Sequence, residues 1–479
     1  MFRIFMLLLV FAVCSSAGTK LRIITCMLKP QFEFFEWKVI APWAQEQALP
    51  VEVINVPDMR ELEGVLLKNR DAALCMLPFG KAWAFVDKKL VQPVSPHLSR
   101  AQLRVFETEY ILTWLGCRDG VQYFLPHKYE TRIMVFRKSK VAEAVEMWNS
   151  DTAMRETVVA AVRQVNGIGL PNDYHLEDSP EEWDFIDVCV AGLIWKEMSG
   201  AKKEGRIGHR AKQYSGTALR VIDRVYQCGG DSLTMLAMNG DPVIDALTWE
   251  AVYAALGVYN SEMFRNRWVG SDLWKAFERE SVYLSFLTQV DCFFLHGNGG
   301  GQVPGHLSTP QDLGFATMPQ GCSIGYKPDS TVLRTGSKSI TNGGWWWAIP
   351  SGCSDAGLSF KLFEHITSRE IQFRECTTFG MIPVRNDVLK SDRLLTAQGW
   401  ISEMYRVSYR QIKINNNNVI PAQGEFSLIS ALYLDAWKMI VADGKWSQKR
   451  NSMPDRSYIS TIIGERFVGR ANAVFEKYR

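Results

Sequence analysis

Residues 341–350 read TNGGWWWAIP, and this stretch is the most informative part of the chain. The glycine pair predicts a turn, the aromatic run after it predicts a strand, and a second turn follows at residues 380–385 (GMIPVR). Glycine lets a backbone approach a ligand closely, and three adjacent indoles offer the flat apolar faces that bind a sugar ring. A buried strand in an unrelated core would show the same pattern, so the motif needs support from the rest of the chain.

Length and composition limit the class of protein. The chain has 479 residues, of which 47% are apolar and 22% are charged, and its formal net charge is +3. A chain of this length is too long for one compact core and predicts two domains. The small net charge gives no electrostatic support for a nucleic-acid partner.

The first residues predict an export signal. Arg3 supplies the charge, an apolar segment follows, and small residues end it, which places the predicted signal peptide at residues 1–17. Later apolar runs are too short to cross a bilayer. We therefore expect a periplasmic or otherwise extracytoplasmic protein. Acylation of Cys14 is the alternative, although Phe11 and Val13 depart from the usual lipid-attachment pattern.

Cysteine spacing predicts no metal site. Nine cysteines remain after residue 17, and no C-x-x-C pair occurs among them. Cys26 and Cys75 end two predicted neighbouring strands, so a single disulfide there and two buried free thiols are both open.

The N-terminal third alternates strands and helices. Strands are predicted at residues 20–27, 51–56 and 72–77, with helices at 34–47 and 59–68, and this order is typical of a parallel sheet. Ligands of such sheets bind beyond the carboxyl ends of the strands. Gln31 and Phe79, in the segments that follow the first and third strands, are therefore candidate ligand contacts.

The order of motifs resembles one family along the whole chain. Residues 119–126 (DGVQYFLP) are similar to its hairpin before a first crossing between lobes, residues 132–138 (RIMVFRK) to the strand entering the second lobe, and the glycine pair to its second crossing. The family is that of bacterial extracellular solute-binding proteins that bind sugars, which are maltose-binding-protein-like substrate-binding components of ABC transporters. Glu280 stands where relatives carry glycine, in a segment (277–287) that we expect to be a strand.

The resemblance implies a two-lobed α/β periplasmic-binding-protein fold, in which each lobe is a mainly parallel sheet flanked by helices and hinge crossings join the lobes. Lobe 1 is predicted at residues 18–128 and 345–390. Lobe 2 is predicted at residues 129–344 and 391–479.

The resemblance also implies where the ligand binds. On the first crossing, Tyr129 offers a ring and Glu130 a carboxylate that accepts hydroxyl hydrogen bonds. The other candidates follow from their positions in the second lobe, at the second crossing and at the opening of a late helix: Gln289, Asp291, Gly344, Trp345, Trp346, Glu425 and Phe426. Alternation along a strand sends Trp345 and Trp347 to one side and Trp346 to the other.

The implied function is binding without chemistry. A monomer would close its two lobes on a carbohydrate and deliver it to membrane permease subunits, with no catalytic residue, metal or cofactor. An anionic ligand such as a phosphorylated polyol, or a polyamine or metal chelate, is the alternative, since Lys128 and Arg132 flank the first crossing. An exported carbohydrate hydrolase is a further alternative, although the sequence has no H-E-x-x-H, G-x-S-x-G or P-loop motif.

Overall fold

A computed structural model describes residues 20–297, 303–325, 335–396, 399–415, 426–449 and 452–477. The predicted signal peptide, Cys14 and Glu425 lie outside these residues. The strands are β1 Leu21–Thr25, β2 Val51–Asn55, β3 Leu74–Pro78, β4 Val91–Gln92, β5 Cys117–Arg118, β6 Val121–Gln122, β7 Phe124–Glu130, β8 Ile133–Arg137, β9 Leu284–Leu287, β10 Leu313–Ala316, β11 Gly343–Pro350 and β12 Ile382–Pro383.

Helices cover both sheets. In the first half they are α1 Lys29–Phe34, α2 Ala41–Glu46, α3 Leu62–Lys68, α4 Phe79–Asp87, α5 Arg100–Glu109, α6 Lys138–Ser150, α7 Thr152–Asn166, α8 Phe185–Met198, α9 Ser215–Gln227, α10 Ser232–Ala237 and α11 Asp241–Ala255. In the second half they are α12 Glu262–Asn266, α13 Gly270–Glu278, α14 Gln289–His296, α15 Ala356–Ile366, α16 Arg369–Phe379, α17 Asn386–Leu389, α18 Asp392–Leu395, α19 Trp400–Asn415, α20 Phe426–Trp437, α21 Arg456–Ile463 and α22 Gly469–Lys477. Three π-helical segments continue helices at Phe35–Ile40, Lys438–Ala442 and Gly464–Val468.

The first sheet has the strand order β12-β7-β11-β3-β1-β2, with β4 also paired to β11. Its β-branched N-terminal strand is the second from one edge, where β1 pairs in parallel with β2 and with β3. The pairs of β11 with β3 and β7, and of β12 with β7, are antiparallel. The prediction of a mainly parallel sheet therefore holds only for the part built by strand-helix-strand crossovers, because β11 re-enters from the second sheet in the opposite direction.

The second sheet consists of β10, β8 and β9 in that order, and both pairs are antiparallel. The prediction of parallel pairing here is wrong. The strand expected at residues 277–287 is confirmed only at its end, as β9 Leu284–Leu287, whereas residues 277–278 belong to α13. Leu273, Ala276 and Phe277 are buried at helical spacing, and the backbone N–H of Val269 donates to Asp272 at the helix start, which favours the helix.

Two short segments connect the sheets. β7 ends in the first sheet at Glu130, and β8 begins in the second sheet at Ile133. The second segment leads back to the first sheet, where β11 begins at Gly343. The strands of the first sheet thus include Tyr129, Glu130 and Gly344. These residues are next to the lobe limits expected from the sequence, and those limits stay a prediction.

The interior accounts for most of the tryptophans and for seven of the nine described cysteines, whereas Cys117 and Cys353 are only partly buried. Six indoles have less than 2% of their surface exposed: Trp83, Trp183, Trp195, Trp249, Trp347 and Trp437. Cys26 and Cys75 are buried free thiols, and burial raises the pKa of Cys26 to about 11. Within the described ranges, no helix has the length and apolar character needed to cross a membrane.

Candidate functional site

The first feature of the site is a fixed, partly exposed indole on β11. Trp345 pairs with Lys128 of β7, which places both side chains on one face of the sheet, and Gly343 pairs with Glu130. Trp345 Nε1 donates a hydrogen bond to Glu130 Oε1 at 2.9 Å. The Lys128 ammonium lies 5.2 Å from the centre of the Trp345 ring and 3.8 Å from Glu130 Oε1. These contacts set the orientation of the ring.

A bulge separates Trp345 from the next two indoles. The partner on β7 changes from Lys128 to Pro126 between Trp345 and Trp346, so His127 has no partner in the register. Trp347 donates from Nε1 to His127 Nδ1 at 3.0 Å and is fully buried. Trp347 is therefore a core residue.

Trp346 lies 5.6 Å from Phe79, measured between ring centres. Phe79 is the first residue of α4, which begins where β3 ends. Gln31 lies in the first helix after β1, so the two segments predicted as ligand loops are helix beginnings. Both residues are buried at the carboxyl edge of the parallel strands.

The neighbouring strand explains the glycine at position 344. A Cβ on Gly344 would lie 2.5 Å from the carbonyl oxygen of Lys128, far inside van der Waals contact. The close backbone approach that the sequence predicted is therefore made with β7.

Four buried side chains around this edge have unpaired polar atoms within the described part of the chain. They are Gln31 Nε2, Tyr129 Oη, Asn342 Nδ2 and Trp346 Nε1. Tyr129 Oη and the Asn342 amide are neighbours without a hydrogen bond of ordinary geometry, and burial raises the pKa of Tyr129 far above its usual value. Buried polar atoms in native proteins nearly always have a partner, so unpaired ones indicate where a ligand or water binds.

Gln289 and Asp291 both have partners inside the second lobe. Gln289 Nε2 donates to Ser408 Oγ at 2.9 Å. Asp291 accepts bonds from Arg210 at 2.7 Å and from Trp274 Nε1 at 3.0 Å. Burial alone would raise the pKa of Asp291, but Arg210 outweighs this effect and holds it below its usual value.

Arg210 was not found by sequence analysis. Its guanidinium forms an ion pair with Asp291 at 2.7 Å. No motif surrounds it, and only the spatial arrangement reveals it.

Phe426 meets the first lobe. It begins α20, is buried, and its ring would lie 3.2 Å from a Cβ placed on Gly80, which is next to Phe79 in α4. The structure therefore brings together Phe79, Trp346 and Phe426 on one side of β11, and Trp345 and Glu130 on the other.

Polar side chains join the crossings. Arg132, a candidate for anion binding by sequence, instead binds the buried carboxylate of Asp223 and the backbone and hydroxyl of Thr341. Asn415, at the end of α19, donates to Thr131 Oγ1 at 3.1 Å and to Asn342 Oδ1 at 2.6 Å. Nε and Nη2 of the Arg132 guanidinium are thus engaged within the protein.

Two surface cavities lie elsewhere. One of about 760 Å³ lies beside α7 and includes Trp148 and Arg163 in its lining, and one of about 460 Å³ includes Arg206 and Tyr283. Neither is lined by a predicted site residue. In the part of the chain that the structure describes, no cluster of three or more His, Cys, Asp or Glu side chains suits a metal ion.

Solved structures share this two-lobed arrangement. A maltose-bound structure of MalE3 from T. maritima matches with a TM-score of 0.66 and 15% identity, covering 95% of this chain and 99% of that one. The sugar-binding protein MalE from Xanthomonas citri matches with a TM-score of 0.65 and 16% identity, over 96% and 100%. A solute-binding protein from Agrobacterium radiobacter K84 in complex with ribitol matches at 0.63 and 14%, over 96% and 99%. The fold is the periplasmic-binding-protein fold.

The family follows from a sequence comparison. The model of the family described as bacterial extracellular solute-binding protein matches residues 67–398, which is more than half of the chain. The chain belongs to this family, and the resemblance stated from its motifs is confirmed. No curated protein sequence matches it.

Proposed function

We propose that this protein binds a carbohydrate between its lobes and delivers it, unaltered, to the permease of an ABC importer. One observation carries the proposal: an indole held by Glu130 and Lys128 lies on one face of β11 at the crossing, and buried side chains with unpaired polar atoms, Trp346 among them, lie across the same strand. A sugar ring offers an apolar face to the indole and oxygen atoms to the unpaired groups.

The same residues account for a closing motion. Trp345 and Gln31 fall in the predicted first lobe, whereas Tyr129, Arg210 and Phe426 fall in the predicted second. A ligand that contacts both sets stabilises the closed arrangement by its difference in affinity for the two forms. Export by residues 1–17, with a free or acylated Cys14, and action as a monomer are parts of the proposal. Catalysis is not.

Thermal unfolding with a ligand panel tests the proposal. The panel holds neutral sugars, polyols, polyamines, metal chelates and phosphorylated polyols. A ligand at about 100 times its Kd stabilises the native state by about 2.7 kcal/mol, which a thermal shift detects. We expect a sugar to raise the Tm.

Two tryptophan variants locate the site. Trp345→Ala should lose the shift, whereas Trp37→Ala should retain it, because Trp37 is 65% exposed on a helix and serves as a matched indole control. A panel in which only polyamines or chelates shift the Tm would contradict the carbohydrate assignment. Release of a new sugar product during incubation would contradict binding without chemistry.

A further inference from the structure

The Lys128 ammonium is a cation held inside the proposed sugar site. Its side chain is only 6% exposed, and it lies over the Trp345 ring. The carboxylate oxygen within ion-pair distance is Glu130 Oε1 at 3.8 Å, which is longer than a hydrogen bond, and that oxygen already accepts from Trp345. A buried ammonium without a close carboxylate retains most of its capacity to bind an anion.

The groups around Lys128 do not balance its charge. Burial raises the pKa of Glu375 to about 8, so this carboxyl is largely protonated at neutral pH. Burial lowers the pKa of His127 to about 3 and keeps it neutral. Glu130 Oε1 already accepts from Trp345, and the positive charges of Lys128 and Lys81 both act against the burial that raises the pKa of Cys26, just after β1. Asp58, which also acts on Cys26, forms its own ion pair with Arg60 at 2.6 Å.

The unpaired atoms at this edge are mostly donors. Gln31 Nε2, Asn342 Nδ2 and Trp346 Nε1 can only donate, whereas a tyrosine hydroxyl can also accept. A neutral sugar needs acceptors for its own hydroxyl hydrogens. Asp291, a carboxylate of the second lobe, already has Arg210, Trp274 and Thr288 as donors. A ligand rich in acceptor oxygens therefore suits the donors at this edge, with Lys128 on the face of Trp345 and Trp346 Nε1 across β11.

We propose that the sugar carries an anionic group, a carboxylate or a phosphate, and that Lys128 binds this group beside the Trp345 ring. The proposal rests on the proposed carbohydrate-binding function and narrows its substrate class to acidic sugars. Specificity then comes from a charged donor in a partly dry site, where electrostatic interactions exceed their strength in water.

Matched ligand pairs test the charge requirement. Calorimetric titration compares glucuronate with glucose and galacturonate with galactose, and glucose 6-phosphate separates a phosphate from a carboxylate. We expect an acidic sugar to bind at least about tenfold more tightly than its neutral parent, which corresponds to about 1.4 kcal/mol. Raising the salt from about 20 mM to about 200 mM should weaken its binding, since screening lengths shorten over this range.

Two lysine variants test whether Lys128 causes the preference for the acidic sugar. Lys128→Gln should weaken the acidic sugar about tenfold more than its neutral parent, because the variant loses the charge that only the acidic sugar uses, whereas any change in the Trp345 ring affects both ligands. Lys38→Gln removes the same charge from an exposed helical position and should change neither the affinity for the acidic sugar nor that for its neutral parent. If Lys128→Gln fails to fold, the matched ligand pairs and the salt dependence, both measured on the natural protein, still decide whether the sugar must carry an anionic group.

Each outcome has one meaning. Neutral sugars that bind as tightly as their acids, or an acidic sugar that binds Lys128→Gln unchanged, would overturn the inference while leaving carbohydrate binding intact. Binding of neither kind of sugar, with a response to another ligand class, would overturn the proposed function itself. Preference for the phosphate or for the carboxylate identifies the anionic group.

Discussion

Arg132 and Thr341 are in direct contact, although 209 positions separate them in the chain. Arg132 Nη2 lies 2.6 Å from the Thr341 carbonyl oxygen and 2.7 Å from its hydroxyl. Asp223 of α9 completes the group, since it binds the guanidinium and accepts the Thr341 backbone N–H at 3.1 Å. The first and second crossings are therefore held together at one buried point.

Replacing Arg132 should destabilise the protein strongly. Arg132→Leu leaves Asp223 as a buried carboxylate without its cation, and breaking such a pair typically costs about 3–5 kcal/mol. Urea unfolding measures the loss. Arg60→Ala is the control, because its ion pair with Asp58 is exposed and should contribute little. Similar losses in both variants would contradict a structural role for the Arg132 contact.

The elements of the first lobe were predictable because their signals are local. The β-branched strand β1, the turn at Asp119 and Gly120, and the Gly-Trp strand each follow from neighbouring residues. Both turn residues have positive φ, as the Asp-Gly pair predicts. The antiparallel second sheet was missed because its pairing joins residues far apart in sequence, β8 with β9 and β10.

The site was predictable in part. Alternation correctly separated Trp345 from Trp346, but only packing shows that Trp347 lies in the core against Phe35. Lys128 was noted for its charge alone. Arg210 was not predicted as a site residue, because its ion pair with Asp291 depends on the folded geometry and no spacing in the sequence indicates it.

Trp345 and Trp347 lie on the same side of β11, but replacing them should change the free energy of unfolding by different amounts. Trp347 is fully buried, stacks on Phe35 and binds His127, so Trp347→Ala should cost about 3–5 kcal/mol. Trp345 is partly exposed, and Trp345→Ala should cost clearly less while affecting ligand binding. Urea unfolding of both variants without ligand makes the comparison. Equal losses would show that Trp345 is also a core residue.

Glu375 should make stability depend on pH. Burial raises its pKa in the native state to about 8, above the value near 4.5 expected for the unfolded chain. The native state then binds more protons between these values, so this residue favours folding at low pH and its contribution falls as the pH rises through the window. Glu375→Gln keeps the neutral form at every pH. Relative to the natural protein, it should therefore gain stability on going from about pH 5 to about pH 8, on the order of a few kcal/mol.

Urea unfolding at several pH values across that window measures the effect. Glu370→Gln is the control, since it makes the same substitution at an exposed carboxylate on the same helix. His127 titrates below the window, because burial lowers its pKa to about 3. A pH-independent difference between Glu375→Gln and the natural protein would exclude a buried, protonated Glu375.

Gly344 should not tolerate a side chain. Its Cβ would lie 2.5 Å from the Lys128 carbonyl oxygen, so Gly344→Ala forces β11 away from β7 and disturbs the Trp345 contacts with Lys128 and Glu130. We expect a loss of about 1–3 kcal/mol, the usual cost of overpacking, together with weaker sugar binding. Gly64→Ala is the matched control: no heavy atom lies within 4 Å of its added Cβ, and alanine in a helix should stabilise by up to about 1 kcal/mol. Urea unfolding and calorimetric titration report the two effects, and a stable Gly344→Ala variant with unchanged affinity would contradict the role of this close strand approach.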